Sequence, residues 1–512
     1  MTDGRGAPLK GAALAVTALA LALGTFMQVL DLTIANVSLP TIAGNLGVST
    51  DSGTWIITSF AVANGISVPL TGWLMGRYGV VRVFTLSVIA FTIASFLCGI
   101  AWNLPVLIVF RVIQGAVSGP MIPGSQALLI AIFPAEKRGT GLGIWSITTL
   151  VAPIAGPVLG GYISDNFHWS WIFLINIPVG SFVAFIVWRM LRVHETPTRK
   201  LPIDRVGLGL LIIWVGALQV MLDLGKNADW FHDPFIVVLA IITAVGLLAW
   251  LIWELTDAHP IVDLSLLSNR NFLFGSLALC LGFAIYFANV VLLPLWLQTQ
   301  LGYTATWAGL AVAPSGVVAV VLTPLIARLM RVVDVRWIAT MSFAALVGSY
   351  MMRASYTTDV SFATIALGSA VQGIGASGFF LSLLTILLDR VPPNQTPSAT
   401  GLSNFVRIVV GSFATSITTT MWDRREALHQ SHLVESTTPA SASYIDVLHR
   451  LGGLGIHGPG ADAAIQHQLV GQAYLLSTVE LYWAFALMTG FMILFVWLTK
   501  RAKGGQAAAA AE

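Results

Sequence analysis

The chain has 512 residues, of which 56% are hydrophobic and only 10% charged, against roughly 25% charged in soluble domains. A mean hydropathy of +0.83 over that length is more apolar surface than a soluble core absorbs, so the composition implies a polytopic membrane protein. The net charge of +3 gives nucleic-acid binding no support, and two cysteines in apolar runs, Cys98 and Cys280, imply no disulfide framework and no metal site.

Apolar stretches of about 20 residues, bounded by charge or by Gly and Pro clusters, mark membrane spans. In chain order they fall at 11–38, 54–75, 83–101, 105–131, 139–162, 169–190, 206–223, 235–255, 272–297, 305–328, 337–355, 361–388, 399–421 and 475–499. The first is too long for the apolar region of a cleaved leader and runs into a charged motif. With the N-terminus in the cytoplasm, fourteen spans leave nineteen Lys and Arg on that side and four on the other. Dropping any mid-chain span destroys the asymmetry, so both termini are expected in the cytoplasm.

The first span carries Asp31 within Gln28-Val29-Leu30-Asp31-Leu32-Thr33-Ile34-Ala35-Asn36. An ionisable group at membrane depth is costly and is read first as functional. The fourth span carries Arg111, followed by Gln114-Gly115. At ~1.5 Å per residue, Asp31 lies roughly 13 Å and Arg111 about 9 Å from the same membrane face. They can therefore share one polar site. Burial favours the neutral form of a carboxylate, whereas a neighbouring guanidinium favours the charged form. Rearranging such a pair between inward and outward states would change proton affinity; a permanent structural ion pair is the other reading.

The fifth span is glycine-rich and ends Ala155-Gly156-Pro157-Val158-Leu159-Gly160-Gly161, which allows close helix packing. The thirteenth carries a further charge, Arg407. Gln28, Asn36, Gln114, Trp145 and Arg407 are polar candidates for the substrate cavity, equally explained as interhelical hydrogen-bonding groups. Asp223 and Glu254 fall at span ends and read as interfacial. The linker from Arg189 to Arg205 is basic. The segment from Trp422 to Tyr474 is polar and histidine-rich, and reads as a periplasmic, partly helical region that meets a partner. His429 and His432 are spaced to share a metal, but the sequence supplies no completing ligand. The Gly504-Gly505 and poly-alanine tail reads as disordered.

The chain repeats itself. Thr54-Trp55 and Leu70-Thr71 recur at Thr306-Trp307 and Leu322-Thr323, both 252 positions on, and the Gln114-Gly115 region recurs at Gln372-Gly373. Two six-helix halves with an inserted pair explain this: residues 1–190, a linker and inserted pair over 191–271, and 272–512 including the 422–474 loop. Repeat-built transporters place substrate at the repeat interface near the midplane. No Walker A, HExxH or GxSxG motif occurs, so enzyme chemistry and ATP-driven transport by this chain alone have no support, and no cofactor is called for.

At Leu30-Asp31 with Thr33 to Val37 and Leu39-Pro40, at Arg111 with Gln114-Gly115, and at Gly156-Pro157 with Gly160-Gly161, the chain resembles the fourteen-span drug:proton antiporters of the major facilitator superfamily. The resemblance covers nearly the whole chain and implies an all-α membrane protein with the superfamily fold. Ala152 stands where the fifth-span motif has glycine. Gly76 replaces the aspartate of the loop motif that Gly72, Arg77 and Gly79 otherwise fit, which puts its charge-relay gating in doubt. The resemblance implies an inner-membrane, proton-driven exporter of hydrophobic drugs, with Asp31 the proton acceptor and Arg111 its partner. It also implies a periplasmic membrane-fusion adaptor of the EmrA kind and a TolC-like outer-membrane channel. A proton-coupled or facilitated importer of a small nutrient, and a non-transporting receptor or scaffold, are the rival readings.

Overall fold

The computed structural model describes residues 9–134, 137–198, 202, 204–257, 260, 262–392, 395–437, 442–453, 455 and 457–501. The Gly504-Gly505 and poly-alanine tail lies outside the described residues, as do Arg5, Arg199, Lys200 and Lys503 among the counted cations. The described residues form helices and no strand. In order these are α1 (Gly11–Asn45), α2 (Thr50–Gly53), α3 (Trp55–Ser67), α4 (Thr71–Tyr78), α5 (Val80–Gly99), α6 (Leu104–Ser118), α7 (Met121–Ile132), α8 (Arg138–Asn166), α9 (Trp171–Leu174) and α10 (Asn176–Leu191). There follow α11 (Arg205–Leu224), α12 (Pro234–Thr256), α13 (Arg270–Thr299), α14 (Ala305–Leu329), α15 (Val335–Arg353), α16 (Phe362–Leu388), α17 (Thr396–Ser436), α18 (Ala442–Gly453) and α19 (Pro459–Leu498).

Ten of these helical stretches are long and apolar enough to cross a bilayer by length and composition, and twelve if two bent pairs each count as one span. One such pair is α3 and α4, which meet at 56°. The more polar α15 and α17 bring the columns to fourteen: two six-helix halves plus the inserted pair α11–α12. The fold is all-α. Helix starts follow the local sequence. Asn103 accepts from the Val106 amide at the head of α6 and Ser361 from the Thr364 amide at the head of α16. Asp204, Asp233, Asn269, Thr304 and Asp334 cap α11 to α15 in the same way.

The repeat has a packing reason. A side chain on Gly115 would strike the Phe60 carbonyl oxygen, and one on Gly373 the Ser315 carbonyl oxygen. The same glycine in each half thus lets one helix lie directly on its neighbour's backbone. Gly156 sits against Thr33 and Gly160 against the Ile34 backbone, closing α8 onto α1. Gly161 is buried on the same helix, and the Pro157 side chain is outside the described residues.

The ends of α4, α10, α14 and α19 gather on one side, here the basic face; α18 lies on the other, the loop face. On the basic face the two halves touch. Gly72 packs against Ser398, the Thr400 hydroxyl donates to the Pro123 carbonyl at 3.4 Å, and the Asn404 amide donates to Gln126 Oε1 at 2.7 Å. The inserted α11 bridges the halves. A side chain on Gly65 of α3 would meet Val215, while Gln219 Nε2 donates to Ser412 Oγ of α17 at 3.3 Å. The polar segment after Trp422 is mostly helix: α17 continues to Ser436, α18 follows, and α19 begins at Pro459.

Candidate functional site

The two charges singled out in the first and fourth spans meet. Arg111 Nη1 donates to Asp31 Oδ2 at 2.6 Å, and both side chains are fully buried. Gln114 joins the cluster from α6 itself, and the remaining groups come from α3, α5, α9 and α10. Gln114 Nε2 and Asn176 Nδ2 donate to Asp31 Oδ1 at 3.1 and 3.0 Å, and both also reach Ser95 Oγ, at 2.8 and 3.2 Å. Gln114 Oε1 accepts from Arg111 Nη1 at 2.7 Å, and Arg111 Nε donates to the Ile56 carbonyl at 3.0 Å. The guanidinium lies 4.2 Å from the Phe60 ring centre and 5.5 Å from that of Phe173. Cys98 Sγ completes the wall, 3.6 Å from Gln114 Oε1.

These positions follow from local structure. Arg111 and Gln114 are three apart on α6 and so share one face. Asn176 opens α10 after the short α9, which turns its side chain inward. Three donors from two other helices thus converge on one buried carboxylate, and removing any of them would leave a buried polar group unpaired. Arg111 Nη2 has no protein partner in this arrangement.

A second set of polar atoms lies where the halves meet. Arg407 is 4% exposed, donates from Nη2 to Asn404 Oδ1 at 2.7 Å, and stands 4.6 Å from the Phe283 ring and 5.8 Å from that of Trp145. Trp145 packs edge-on to Phe380 at 6.5 Å. Both amide atoms of Gln28, Gln126 Nε2, Trp145 Nε1 and Arg407 Nε are buried without a protein hydrogen-bond partner. Buried polar atoms are normally satisfied by protein, water or ligand; Arg407, Trp145 and Gln126 are joined through Asn404 and the aromatic contacts, whereas Gln28 is buried on α1.

The structure thus brings Asp31, Arg111 and Gln114 into one cluster and places Trp145 beside Arg407. Asn36 is exposed, five residues beyond Asp31, and stands apart from both sets. Sequence reading passed over Ser95, Asn176 and Gln126, small polar groups with no signature of their own. It also passed over Arg353, at the end of α15. That residue donates to Asn289 Oδ1 and to Gln372 Oε1, each at 2.7 Å, and is fully buried. Its cue was the repeat itself, because Gln372 is the counterpart of Gln114. His429 contacts Glu480 at 3.1 Å, and among the described residues no three His, Cys, Asp or Glu gather as metal ligands. Glu254 is buried and accepts from the Val262 amide. On the basic face, where Gly76 replaces an acid, Glu195 of the linker receives the Val81 and Arg82 amides at the head of α5, at 3.0 and 2.9 Å.

The Major Facilitator Superfamily sequence profile matches residues 21–415. The Multidrug export protein EmrB of Escherichia coli (strain K12) is 48% identical over 494 residues, covering 96% of each chain. The Fatty acid resistance protein FarB of Neisseria gonorrhoeae is 46% identical, covering 96% of this chain and 97% of FarB. Among solved structures, the proton:xylose symporter XylE superposes with a TM-score of 0.58 at 14% identity, over 97% of this chain and 99% of that one, a likeness of fold. The chain belongs to the major facilitator superfamily, in the branch that holds the EmrB multidrug export proteins.

Proposed function

We propose that this protein is the pump of a tripartite multidrug efflux system, exporting hydrophobic toxic compounds across the inner membrane in exchange for protons. The observation that carries the reading is the closed cluster of Asp31, Arg111, Gln114 and Asn176. It is a buried carboxylate whose charge depends on donors from two other helices. When α6 moves relative to α1, Arg111 leaves Asp31, and the isolated carboxylate in an apolar setting takes a proton. Return of the guanidinium expels it. Coupling follows if the two positions open to opposite sides of the membrane.

Substrate binds at the seam of the halves, where Trp145 and Arg407 present unsatisfied polar atoms beside Phe283 and Phe380. An amphiphile would lay its rings or chain on the aromatics and its polar end on Arg407. The names of the EmrB and FarB relatives support export of drugs and fatty acids as the substrate range. Residues 1–190 and 272–512 act as the rocking halves, with 191–271 as the linker and inserted pair. The Gly156, Pro157, Gly160 and Gly161 seam of α8 on α1 keeps the closed state tight. The basic face is cytoplasmic, with both termini there. The helices beyond Trp422 reach an EmrA-like adaptor, which leads to a TolC-like channel. The chain moves its substrate without covalent chemistry.

The test is transport by purified protein in proteoliposomes under an imposed pH gradient. Asp31→Asn is expected to bind substrate within a few-fold of wild type and to lose uphill movement altogether. Unchanged proton-driven export by that variant would overturn the assignment.

A further inference from the structure

The two halves treat the repeated glutamine alike, then differ. Gln114 Oε1 accepts from Arg111 at 2.7 Å and Gln372 Oε1 accepts from Arg353 at 2.7 Å. Arg111 has the Asp31 carboxylate against it. Arg353 has neutral groups: Asn289 Oδ1 at 2.7 Å, Ser369 Oγ at 3.4 Å and the Tyr482 ring at 5.7 Å. Among the described residues no carboxylate lies within ion-pair distance of it. A guanidinium keeps its proton under all ordinary conditions, so this half carries a fixed buried charge.

Three donors around that charge have no acceptor. Arg353 Nε, the Tyr350 hydroxyl and the Tyr482 hydroxyl are each buried without a protein partner. The Tyr350 and Tyr482 rings stack with centres 6.3 Å apart, Tyr286 lies within electrostatic reach of the guanidinium, and the Tyr356 hydroxyl oxygen is within hydrogen-bonding reach of it. The surplus is therefore one of positive charge and of hydrogen-bond donors together. An isolated cation in a low-dielectric interior is costly until a counter-charge joins it.

We propose that the Arg353–Gln372–Asn289 cluster binds a small inorganic anion, with chloride as the physiological form, which does for this half what the Asp31 carboxylate does for the other. Arg353, Tyr350 and Tyr482 are fully buried, so an anion joining them must give up its water, which favours a small, singly charged ion such as chloride. The anion is a fixed counter-charge that holds α15, α16 and α13 together, because Arg353, Gln372 and Asn289 come one from each. It does not titrate, so proton binding stays confined to the Asp31 half.

The test is thermal unfolding of the purified full-length protein in chloride or in gluconate at equal ionic strength. Wild type is expected to melt about 3 °C higher in saturating chloride. Asn289→Asp, which places an internal carboxylate where Oδ1 already meets the guanidinium, is expected to melt at one temperature in both salts. Arg353→Gln should lose the chloride response as well, and a folded Arg353→Gln that keeps it also overturns the proposal. A wild-type melting temperature equal in the two salts overturns the proposal, and so does an Asn289→Asp variant that keeps the full wild-type response.

Discussion

Asp31 accepts from Arg111, Gln114 and Asn176 at once, while Arg111 divides its donors among Asp31, Gln114 and the Ile56 carbonyl. The arrangement needs the planar fork of a guanidinium, because an ammonium cannot hold the Ile56 carbonyl and the carboxylate in fixed directions. Arg111→Lys is therefore expected to keep the fold and lower proton-coupled transport by ten-fold or more, read as initial rates in proteoliposomes. Arg111→Ala, which leaves the carboxylate uncompensated, should instead destabilise by about 3–5 kcal/mol, seen as early unfolding in a thermal melt. Asp31 and Arg111 were legible in sequence because a charge in an apolar run stands out and its depth follows from the helix rise. Ser95 and Asn176 were not, since small polar residues are common in membrane helices. Arg353 escaped because it ends its span, where basic side chains ordinarily reach out to the interface; here it turns inward.

Single positions govern how the helices fit. Gly156→Val would drive a side chain into Thr33 on α1, and the α8–α1 seam would part or strain. A loss of about 1–3 kcal/mol is expected, with proton leak in the absence of substrate as the functional readout. At the turn between α14 and α15, Asp334 caps the Arg336 amide at 3.0 Å, pairs with the Arg336 side chain at 2.8 Å and lies 3.5 Å from Arg501. Burial acts to raise its pKa, but the hydrogen bonds from Arg336 and the charges of Arg336 and Arg501 outweigh it and hold it below the usual carboxylate range. Such a group contributes stability above its unfolded pKa and loses it as pH falls through the depressed folded value. Asp334→Asn should cost about 1 kcal/mol at neutral pH, and the gap from wild type should close in strong acid, followed by thermal melts across pH. The spans were legible from hydropathy, but their true ends were not. Apolar character stops near residue 421, whereas the backbone bonding of α17 continues to Ser436, because hydropathy marks the bilayer and not the helix.

The halves close against each other on the basic face through Gly72 on Ser398 and Asn404 on Gln126. Gly72→Leu is expected to wedge that face open. A cysteine at Ser398 should then label faster than it does without the wedge, and transport should fall while substrate binding survives. Equal labelling with and without the leucine would show that this contact does not control closure. The two-fold organisation was readable from residues 252 positions apart, since both copies must solve the same packing problem. The seat of the inserted pair was not readable. Its contacts with Gly65, Ser412 and Ser416 involve groups that are neither charged nor spaced in a recognisable way.

α17 is one unbroken helix of 41 residues, about 60 Å long at 1.5 Å per residue, or twice the hydrocarbon thickness. Arg407 sits in its lower third, and Arg425 is clamped to Glu480 of α19 at 2.6 and 2.7 Å where the pair leaves the apolar zone. Two clamped helices make a lever. Its pivot lies inside the membrane and its free arm projects about 20–30 Å beyond it. A tilt of ~10° of the C-terminal half would carry the tip sideways by about 4–5 Å. A partner that gripped that tip would be told which way the halves face, with no moving loop and no second messenger between them.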